Sequence, residues 1–227
     1  MTSTHPKTYE SSTPRKVAFL GLGVMGYPMA GHLALAGHQV TVYNRSSARA
    51  QAWCGEFKGL SAASPREAAS STDIVFCCVG NDDDLRAVTL GKDGAFAGMK
   101  AGAILADHTT ASADVARELH GAARQLGLQF VDAPVSGGQA GAQNGALTVM
   151  CGGDAAAFDT VKPAGMAFSK AFTLMGAVDG KSPKHDHRDR IWHVAPESSR
   201  RRIGCNGAGR QRVEGDRLIC VADHKGA

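Results

Sequence analysis

Three glycines near the start of the chain follow the spacing G-x-G-x-x-G, which can bind phosphate groups. They are Gly21, Gly23 and Gly26, between a strand-like apolar run and a helix-like stretch, as in a dinucleotide-binding turn. Gly21 would permit the tight turn, Gly23 would let the backbone approach a pyrophosphate, and Gly26 would let helix and strand pack closely. Free N–H groups at the helix start, around Val24 and Met25, would face the phosphates. A purely structural turn is the alternative.

The end of the second predicted strand indicates which dinucleotide this turn would bind. Directly after that strand come Asn44, Arg45 and Ser46, and no carboxylate. An NAD site usually has Asp or Glu here, where the carboxylate binds the ribose 2′-hydroxyl. Arg45 can instead pair with a 2′-phosphate, and Asn44 and Ser46 can donate hydrogen bonds to it. We therefore predict NADP rather than NAD, with a solvated arginine after a strand as the alternative.

Strand and helix patterns alternate over the first two thirds of the chain, with short turns between them. This alternation predicts an α/β fold with a Rossmann-type, doubly wound parallel sheet. Strands are predicted at residues 17–20, 39–43, 74–79, 103–106, 129–132, 147–151 and 172–175. Helices are predicted at residues 25–36, 47–53, 64–70, 82–90 and 112–126, the last with Ser112 as its N-cap.

Composition divides the chain into three parts. Residues 1–15 are rich in Ser, Thr and Pro and are predicted to be a disordered extension. Residues 16–176 form the predicted dinucleotide-binding domain. Residues 177–227 show neither a strand nor a helix period. From Lys181 onwards they carry 11 Lys and Arg against 6 Asp and Glu, a net charge of +5 in a chain of net charge +4. We expect a basic, poorly ordered tail.

The cysteines and the hydropathy pattern narrow the cellular setting. The six cysteines in 227 residues show no regular spacing, which favours free thiols in a reducing, cytoplasmic compartment and indicates no metal site. No stretch reaches the roughly 20 apolar residues that a membrane span needs. The start of the chain also lacks the apolar segment of a secretory signal. We therefore expect no membrane partner.

The residues around the glycines match a narrower pattern. These residues are Leu22, Met25, Pro28, Met29, Ala30, His32 and Leu33. With the glycines they resemble the signature of the β-hydroxyacid dehydrogenases, a family that includes 3-hydroxyisobutyrate dehydrogenase and the tartronate and succinic semialdehyde reductases. The resemblance continues without a gap over residues 16–176. Apart from the resemblance, the pattern indicates packing, because Met25, Met29 and Leu33 form an apolar stripe on one helix face.

The resemblance implies roles for two further turns after predicted strands. Val79, Gly80 and Asn81 would lie along the cofactor, although Asn81 and the acids after it also suit a helix start. Thr110 closes a turn like the family's D-x-[ST]-T, in which a hydroxyl approaches the nicotinamide or the substrate. His108, in the same turn, is interpreted as structural, because a lone histidine at a strand end seldom acts as an acid or base.

A third turn resembles the family's substrate-binding segment. Ser136, Gly137 and Gly138 follow the predicted strand at residues 129–132. The resemblance implies that the serine hydroxyl and the glycine amides hold a substrate carboxylate. Adjacent small residues can expose backbone N–H groups that form an anion-binding concavity. A tight surface turn is the alternative interpretation.

The resemblance also implies a lysine that acts as general acid, in a G-x-G-x-x-x-K-x-x-x-N pattern after Gly176. No asparagine follows at that spacing, and Pro183 opposes a helix, although Lys184 lies near the expected place. The catalytic residue therefore stays unknown. The family's all-helical second domain is missing or replaced in residues 177–227. We interpret this stretch as one read in a different frame or produced by a sequencing slip, with a divergent but genuine tail as the alternative.

Three functions follow from these patterns. The first is an NADP-dependent oxidoreductase that transfers hydride between NADP(H) and a small, carboxylate-bearing β-hydroxyacid or semialdehyde, impaired in this chain because the lysine pattern is absent. The second is a non-catalytic NADP-binding module. The third, nucleic-acid binding by the basic tail, is disfavoured because that tail has few aromatic residues. The resemblance also implies that a homo-oligomer is possible, although the helical domain that often forms the family's dimer has no counterpart here.

Overall fold

The computed structural model describes residues 7–10, 12–176, 210–214 and 217–221. The chain forms two compact units, residues 1–193 and 194–227. The described strands of the first unit are β1 (Lys16–Leu20), β2 (Gln39–Tyr43), β3 (Leu60–Ser61), β4 (Ile74–Cys77), β5 (Ile104–Asp107), β6 (Gln129–Asp132), β7 (Val135–Ser136), β8 (Leu147–Gly153) and β9 (Ser169–Gly176). Its helices are α1 (Gly26–Leu35), α2 (Ser47–Glu56), α3 (Pro65–Ala69), α4 (Asp82–Thr89), α5 (Ala113–Gln125), α6 (Gly138–Gln143) and α7 (Ala155–Gly165).

The first six strands form a parallel sheet in the order β3-β2-β1-β4-β5-β6. The chain winds outward from β1 to β3 and then, from β4, outward on the other side. The predicted Rossmann-type, doubly wound sheet is thereby confirmed. The predicted loss of a helical second domain concerns residues 177–227, most of which lie outside the described part of the chain.

Both faces of the sheet are buried, and alternate residues of β1 show how. Val17 and Phe19 point into a core with α1, α2, α6 and α7, whereas Ala18 and Leu20 point into a core with α3, α4 and α5. Strands buried on both faces read as continuous apolar runs. Hydrophobic burial on two faces fixes the position of the strand ends, because a shift of one residue would exchange the two cores.

The far side of the sheet departs from the predicted parallel arrangement. β8 runs antiparallel to both β6 and β7, and β9 is parallel to β8. The run of apolar residues in β8 is compatible with either direction, so the residue pattern alone could not show the reversal. The sheet is mixed, with its parallel part on the side of the glycine turn.

Side chains cap the helices that follow three of the turns. Ser112 accepts a hydrogen bond from the Val115 N–H at 3.2 Å, which confirms the predicted N-cap of α5. Ser64 and Asn81 cap α3 and α4 in the same way. Such caps typically contribute about 1 kcal/mol each. Two helices were not predicted: α6 is short and contains Gly141, and α7 contains Pro163.

The described residues before β1, 7–10 and 12–15, contact the domain although they form no helix or strand. The Lys7 ammonium donates to the backbone carbonyls of Met166 and Ser169 at 2.9 and 2.8 Å and also to that of Gly145. The Tyr9 hydroxyl lies 2.7 Å from His32 Nδ1 on α1. The predicted disorder of residues 1–15 stays a prediction; residues 1–6 and 11 lie outside the described part.

The second unit contains a described antiparallel hairpin. Its strands are β10 (Arg210–Glu214) and β11 (Arg217–Val221), paired in register from end to end. The remainder of the predicted basic tail lies outside the described residues. Of the helices that the structure describes, none has the length and apolar character needed to cross a membrane.

Candidate active site

The loops that follow the parallel strands meet at one edge of the sheet. Leu20 at the end of β1 is in register with Tyr43 of β2 and Cys77 of β4, and Cys77 is in register with Asp107 of β5. The winding direction reverses between β1 and β4. In open α/β sheets the crevice at such a reversal, outside the carboxyl ends of the strands, is the usual ligand site.

The three glycines after β1 have different surroundings. Gly21 has a φ of +93°, and a Cβ atom there would overlap the Cys78 carbonyl. A Cβ on Gly26 would overlap the Gly21 carbonyl and lie 2.9 Å from Phe19 Cε1. A Cβ on Gly23 would meet nothing within 4 Å. Gly21 and Gly26 are thus required by the fold itself, whereas Gly23 faces open space beside the crevice.

Side chains from the next strand and helix hold this turn in place. The Leu22 N–H donates to Asn44 Oδ1 at 2.9 Å, and the Arg49 guanidinium donates to the Leu22 carbonyl. Asn44 Nδ2 donates to the Ser46 carbonyl at 3.2 Å. Asn44 is therefore a support of the glycine turn, a role that we did not predict. Arg49, which also lies over the ring of Tyr27, was missed because its partner is a backbone atom.

The start of α1 opens toward the crevice. Val24 is 60% exposed, and Met25, the N-cap residue, is half-buried. Among the described residues no side chain caps α1, and no acidic side chain lies in its first turn. The first N–H groups of a helix lack partners within the helix and carry a partial positive charge. This helix start is therefore suited to an anionic group such as a pyrophosphate.

The residues after β2 present the charge that could distinguish two dinucleotides. The Arg45 side chain is 88% exposed, and its Nη1 donates to Asp84 Oδ1 at 3.1 Å. Ser46 is the N-cap residue of α2, but its side chain makes no capping bond. The predicted lack of a carboxylate holds for the strand end itself. Asp84 nevertheless brings one to this corner from α4, and sequence reasoning missed it.

The turn after β4 is fixed by two polar side chains. Thr109 Oγ1 accepts a hydrogen bond from the Val79 N–H at 3.2 Å. Asn81 Oδ1 accepts one from the Asp84 N–H at 2.9 Å and so caps α4. The side chain of Asn81 thus serves the helix start, which was the alternative interpretation. Gly80, which lies between Val79 and Asn81, is exposed.

The turn after β5 separates an exposed hydroxyl from a buried imidazole. Thr110 is exposed at the edge of the sheet. His108 is 1% exposed, its Nδ1 lies 2.6 Å from the Ala133 carbonyl, and its ring packs on Phe76 and Phe168. Burial lowers the pKa of His108 to about 4. A neutral, enclosed ring fits the interpretation of this histidine as structural.

This burial predicts a loss of stability in acid. Between pH 6.5 and about 4 the unfolded chain protonates His108 while the folded chain does not, so the free energy of unfolding falls as the pH drops. The expected loss is about 3 kcal/mol, at 1.36 kcal/mol per pKa unit. Burial also lowers the pKa values of His32 and His38, which act in the same direction.

Urea unfolding at pH 7 and pH 4.5 measures this loss. His108→Asn keeps a donor near the Ala133 carbonyl but cannot be protonated, so we expect its stability to depend on pH much less than that of the wild type. An unchanged difference between the two pH values would show that His108 is not the source.

The cysteines near the crevice are not poised for chemistry. Burial, followed by the charge of Asp107, raises the pKa of Cys78 to about 12 and also raises that of Cys77. A thiol acts as a nucleophile or metal ligand only after it loses its proton. Among the described residues no cluster of His, Cys, Asp and Glu is suited to hold a metal ion.

The third predicted turn lies beyond β6. Ser136, at the end of β7, is half-buried, while Gly137 and Gly138 are exposed. Their φ values of +131° and +59° fall in the region that favours glycine. The turn leads into α6, and His32 on α1 lies 3.0 Å from the carbonyl of Ala142 on α6. The turn after β7 is therefore connected to the glycine turn through the packing of α6 against α1.

Comparison with known proteins decides the family. The model of the NAD binding domain of 6-phosphogluconate dehydrogenase matches residues 16–176. The chain belongs to this family. An uncharacterized oxidoreductase of Shewanella frigidimarina is 63% identical over 72% of this chain and 56% of its own length. A probable 3-hydroxyisobutyrate dehydrogenase-like protein of Arabidopsis thaliana is 38% identical over 81% of this chain and 61% of its own.

A solved relative has the same fold. The structure of 3-hydroxyisobutyrate dehydrogenase of Mycobacterium tuberculosis with L-serine superposes with a TM-score of 0.68, at 30% identity, over 75% of this chain and 57% of its own. The predicted resemblance to the β-hydroxyacid dehydrogenases is confirmed. The chain spans between half and two thirds of the length of these relatives.

The residues of this NAD-binding domain fit a dinucleotide. Gly23 leaves the space that a Cβ would occupy, and the first turn of α1 has no side-chain cap. Both features lie at the reversal point of the sheet, where open α/β sheets usually bind their ligands. An NAD(P)-type cofactor is the group that this geometry can hold.

Proposed function

We propose that this chain binds NADP(H) in the crevice between β1 and β4 and takes part in hydride transfer to or from a small β-hydroxyacid or semialdehyde. The cofactor, when bound, supplies or accepts the hydride. The observation that carries the proposal is the contrast between Gly23, which faces open space, and Gly21 and Gly26, which the fold encloses.

The proposed cofactor contacts follow the edge of the sheet. The turn of Gly21, Gly23 and Gly26 and the helix start at Val24 and Met25 hold the pyrophosphate by backbone N–H groups. This part of the proposal is supported by the uncapped start of α1.

The 2′-phosphate of NADP(H) is assigned to the loop after β2. Arg45 pairs with it, and Ser46 and the remaining amide hydrogen of Asn44 donate to it. The exposure of Arg45 and the Ser46 hydroxyl, which makes no capping bond to α2, support this assignment. NAD is the less favoured cofactor because no carboxylate ends β2.

The remaining contacts lie along the other side of the crevice. Val79, Gly80 and the backbone of Asn81 border the cofactor, and the exposed Thr110 hydroxyl orients the nicotinamide or the substrate. Their place after β4 and β5, on the edge shared with β1, supports these roles.

A small carboxylate-bearing substrate is assigned to the turn after β6. The Ser136 hydroxyl and the N–H groups of Gly137 and Gly138 bind its carboxylate. The positive φ values of the two glycines support this assignment, because consecutive N–H groups in such a turn can converge on an anion. Neither nucleic acid nor a membrane is a partner in this proposal, and the setting is cytoplasmic.

Proton transfer is the step for which this sequence offers no assigned residue. The resemblance puts a general acid after Gly176, and the required pattern is absent there. The loss of a general acid typically costs a factor of about 10² to 10⁴ in rate. We therefore expect slow turnover at most. A non-catalytic NADP-binding module is the second candidate, favoured by the same observation.

Absorbance of NADPH at steady state separates the two candidates. The full chain is mixed with NADPH and glyoxylate, succinic semialdehyde or tartronate semialdehyde. Slow oxidation that Ser136→Ala abolishes supports the impaired reductase, whereas cofactor binding without oxidation supports the binding module. Fast oxidation that survives Ser136→Ala contradicts the proposed roles of both the lysine pattern and Ser136.

A further inference from the structure

Three consecutive acids open α4, and each carboxylate has a different partner. Asp82 accepts hydrogen bonds from the Ser112 N–H and hydroxyl at 2.8 and 2.5 Å. Asp83 pairs with Arg86 of the same helix at 3.5 Å. Asp84 pairs with Arg45, which follows β2. The attraction of acids to a helix start therefore does not account for where Asp84 points.

The Arg45–Asp84 ion pair spans the end of β1. Arg45 follows β2 and Asp84 lies in the helix after β4, and β1 lies between these two strands in the sheet. The turn that follows β1 is the glycine turn. The backbone of Asp84 is held by Asn81, and a Cβ on Gly80 would lie 2.7 Å from Asp84 Oδ2. The carboxylate thus sits over the crevice in a defined position.

We propose that Asp84 lowers the preference of this chain for NADP(H) by competing with the 2′-phosphate for the guanidinium of Arg45. The inference rests on the proposed function. A 2′-phosphate must displace the Asp84 carboxylate from Arg45 and then lie near its negative charge. A dinucleotide with a free 2′-hydroxyl carries no such charge and leaves the ion pair intact.

The expected size of the effect follows from the exposure of the pair. The Arg45 side chain is 88% exposed and that of Asp84 is 31% exposed, so the pair is largely screened by solvent. Exposed ion pairs are weak, and removing the competitor is expected to raise NADPH affinity by a factor of about 2 to 5. Because salt screens surface charges, the gain should shrink as the ionic strength rises.

The test compares Asp84→Asn with Asp83→Asn in the full chain. Both variants remove one negative charge from the first turn of α4, but only the first frees Arg45. Titration of NADPH fluorescence should give a dissociation constant about 2 to 5 times lower for Asp84→Asn and nearly unchanged for Asp83→Asn. NADH affinity should change by less than about twofold in both. Thermal unfolding of each variant checks that the fold is retained.

A double variant identifies the mechanism. In an Arg45→Gln background the gain from Asp84→Asn should fall to less than about half, because no guanidinium remains to compete for and only the repulsion between Asp84 and the 2′-phosphate is relieved. An undiminished gain there, or an equal gain from Asp83→Asn, overturns the competition. Wild-type NADPH binding with an unchanged preference in Asp84→Asn overturns only the role of Asp84. Failure of the wild type to bind NADPH overturns the proposed function and this inference together.

Discussion

Gly26→Ala is expected to lower the free energy of unfolding by about 3 kcal/mol. The added Cβ would overlap the Gly21 carbonyl and press on Phe19, and both neighbours belong to the rigid junction of β1 and α1. Without this clash, alanine in a helix would be favoured over glycine by roughly 0.5–1 kcal/mol. A decrease in the free energy of unfolding would therefore show that the close packing at Gly26 outweighs the helix preference of alanine. Urea unfolding at neutral pH measures it.

Gly23→Ala is the matched control for that substitution. It adds the same methyl group three residues away, where nothing lies within 4 Å, so the stability should change by no more than about 0.5 kcal/mol. NADPH affinity should nevertheless fall at least about tenfold, because the methyl occupies the approach of the pyrophosphate. Equal stability losses in the two variants would contradict the distinct roles of the two glycines.

Arg45→Glu is expected to weaken NADPH binding by roughly 10- to 100-fold. The substitution removes charge-assisted hydrogen bonds to the 2′-phosphate and puts a carboxylate where NAD-binding domains usually have one. NADH affinity should therefore hold or rise. Fluorescence titration of both cofactors gives the two dissociation constants. A parallel loss for NADPH and NADH would place Arg45 outside the 2′-phosphate site.

Two further variants distinguish a specific role of Arg45 from an effect of the net charge of the protein. Arg124→Glu makes the same charge reversal near the end of α5, at an exposed position, and should leave both affinities nearly unchanged. Arg45→Lys keeps the charge but not the forked donors, and is expected to retain part of the preference for NADPH. Equal losses from Arg45→Glu and Arg124→Glu would point to an effect of net charge alone.

The glycine turn was predictable because its requirements are local. A φ of +93° at Gly21 and the overlap behind Gly26 follow from covalent geometry within a few residues of the chain. The N-cap at Ser112 was predictable for the same reason, since its partner is only three residues away. Where the interacting groups lie within one turn, the spacing of residue types in the sequence is sufficient to predict the contact.

The contacts between loops could not be predicted in this way. Arg45 and Asp84 are 39 positions apart and meet only because β2, β1 and β4 are neighbours in that order. The support of the turn by Arg49 depends on a backbone carbonyl, which no residue type reveals. The reversal of β8 was hidden because a strand buried on both faces has the same apolar pattern in either direction.

Binding of NADPH and NADH to the unmodified full chain, measured side by side by calorimetry at moderate salt, tests the central claim most directly. We predict that NADPH binds at least about tenfold more tightly than NADH, as expected for a guanidinium that pairs with a 2′-phosphate. Adenosine 2′,5′-bisphosphate should compete with NADPH more strongly than adenosine 5′-monophosphate does. The absence of binding by either cofactor, or equal affinity for both, would contradict the account.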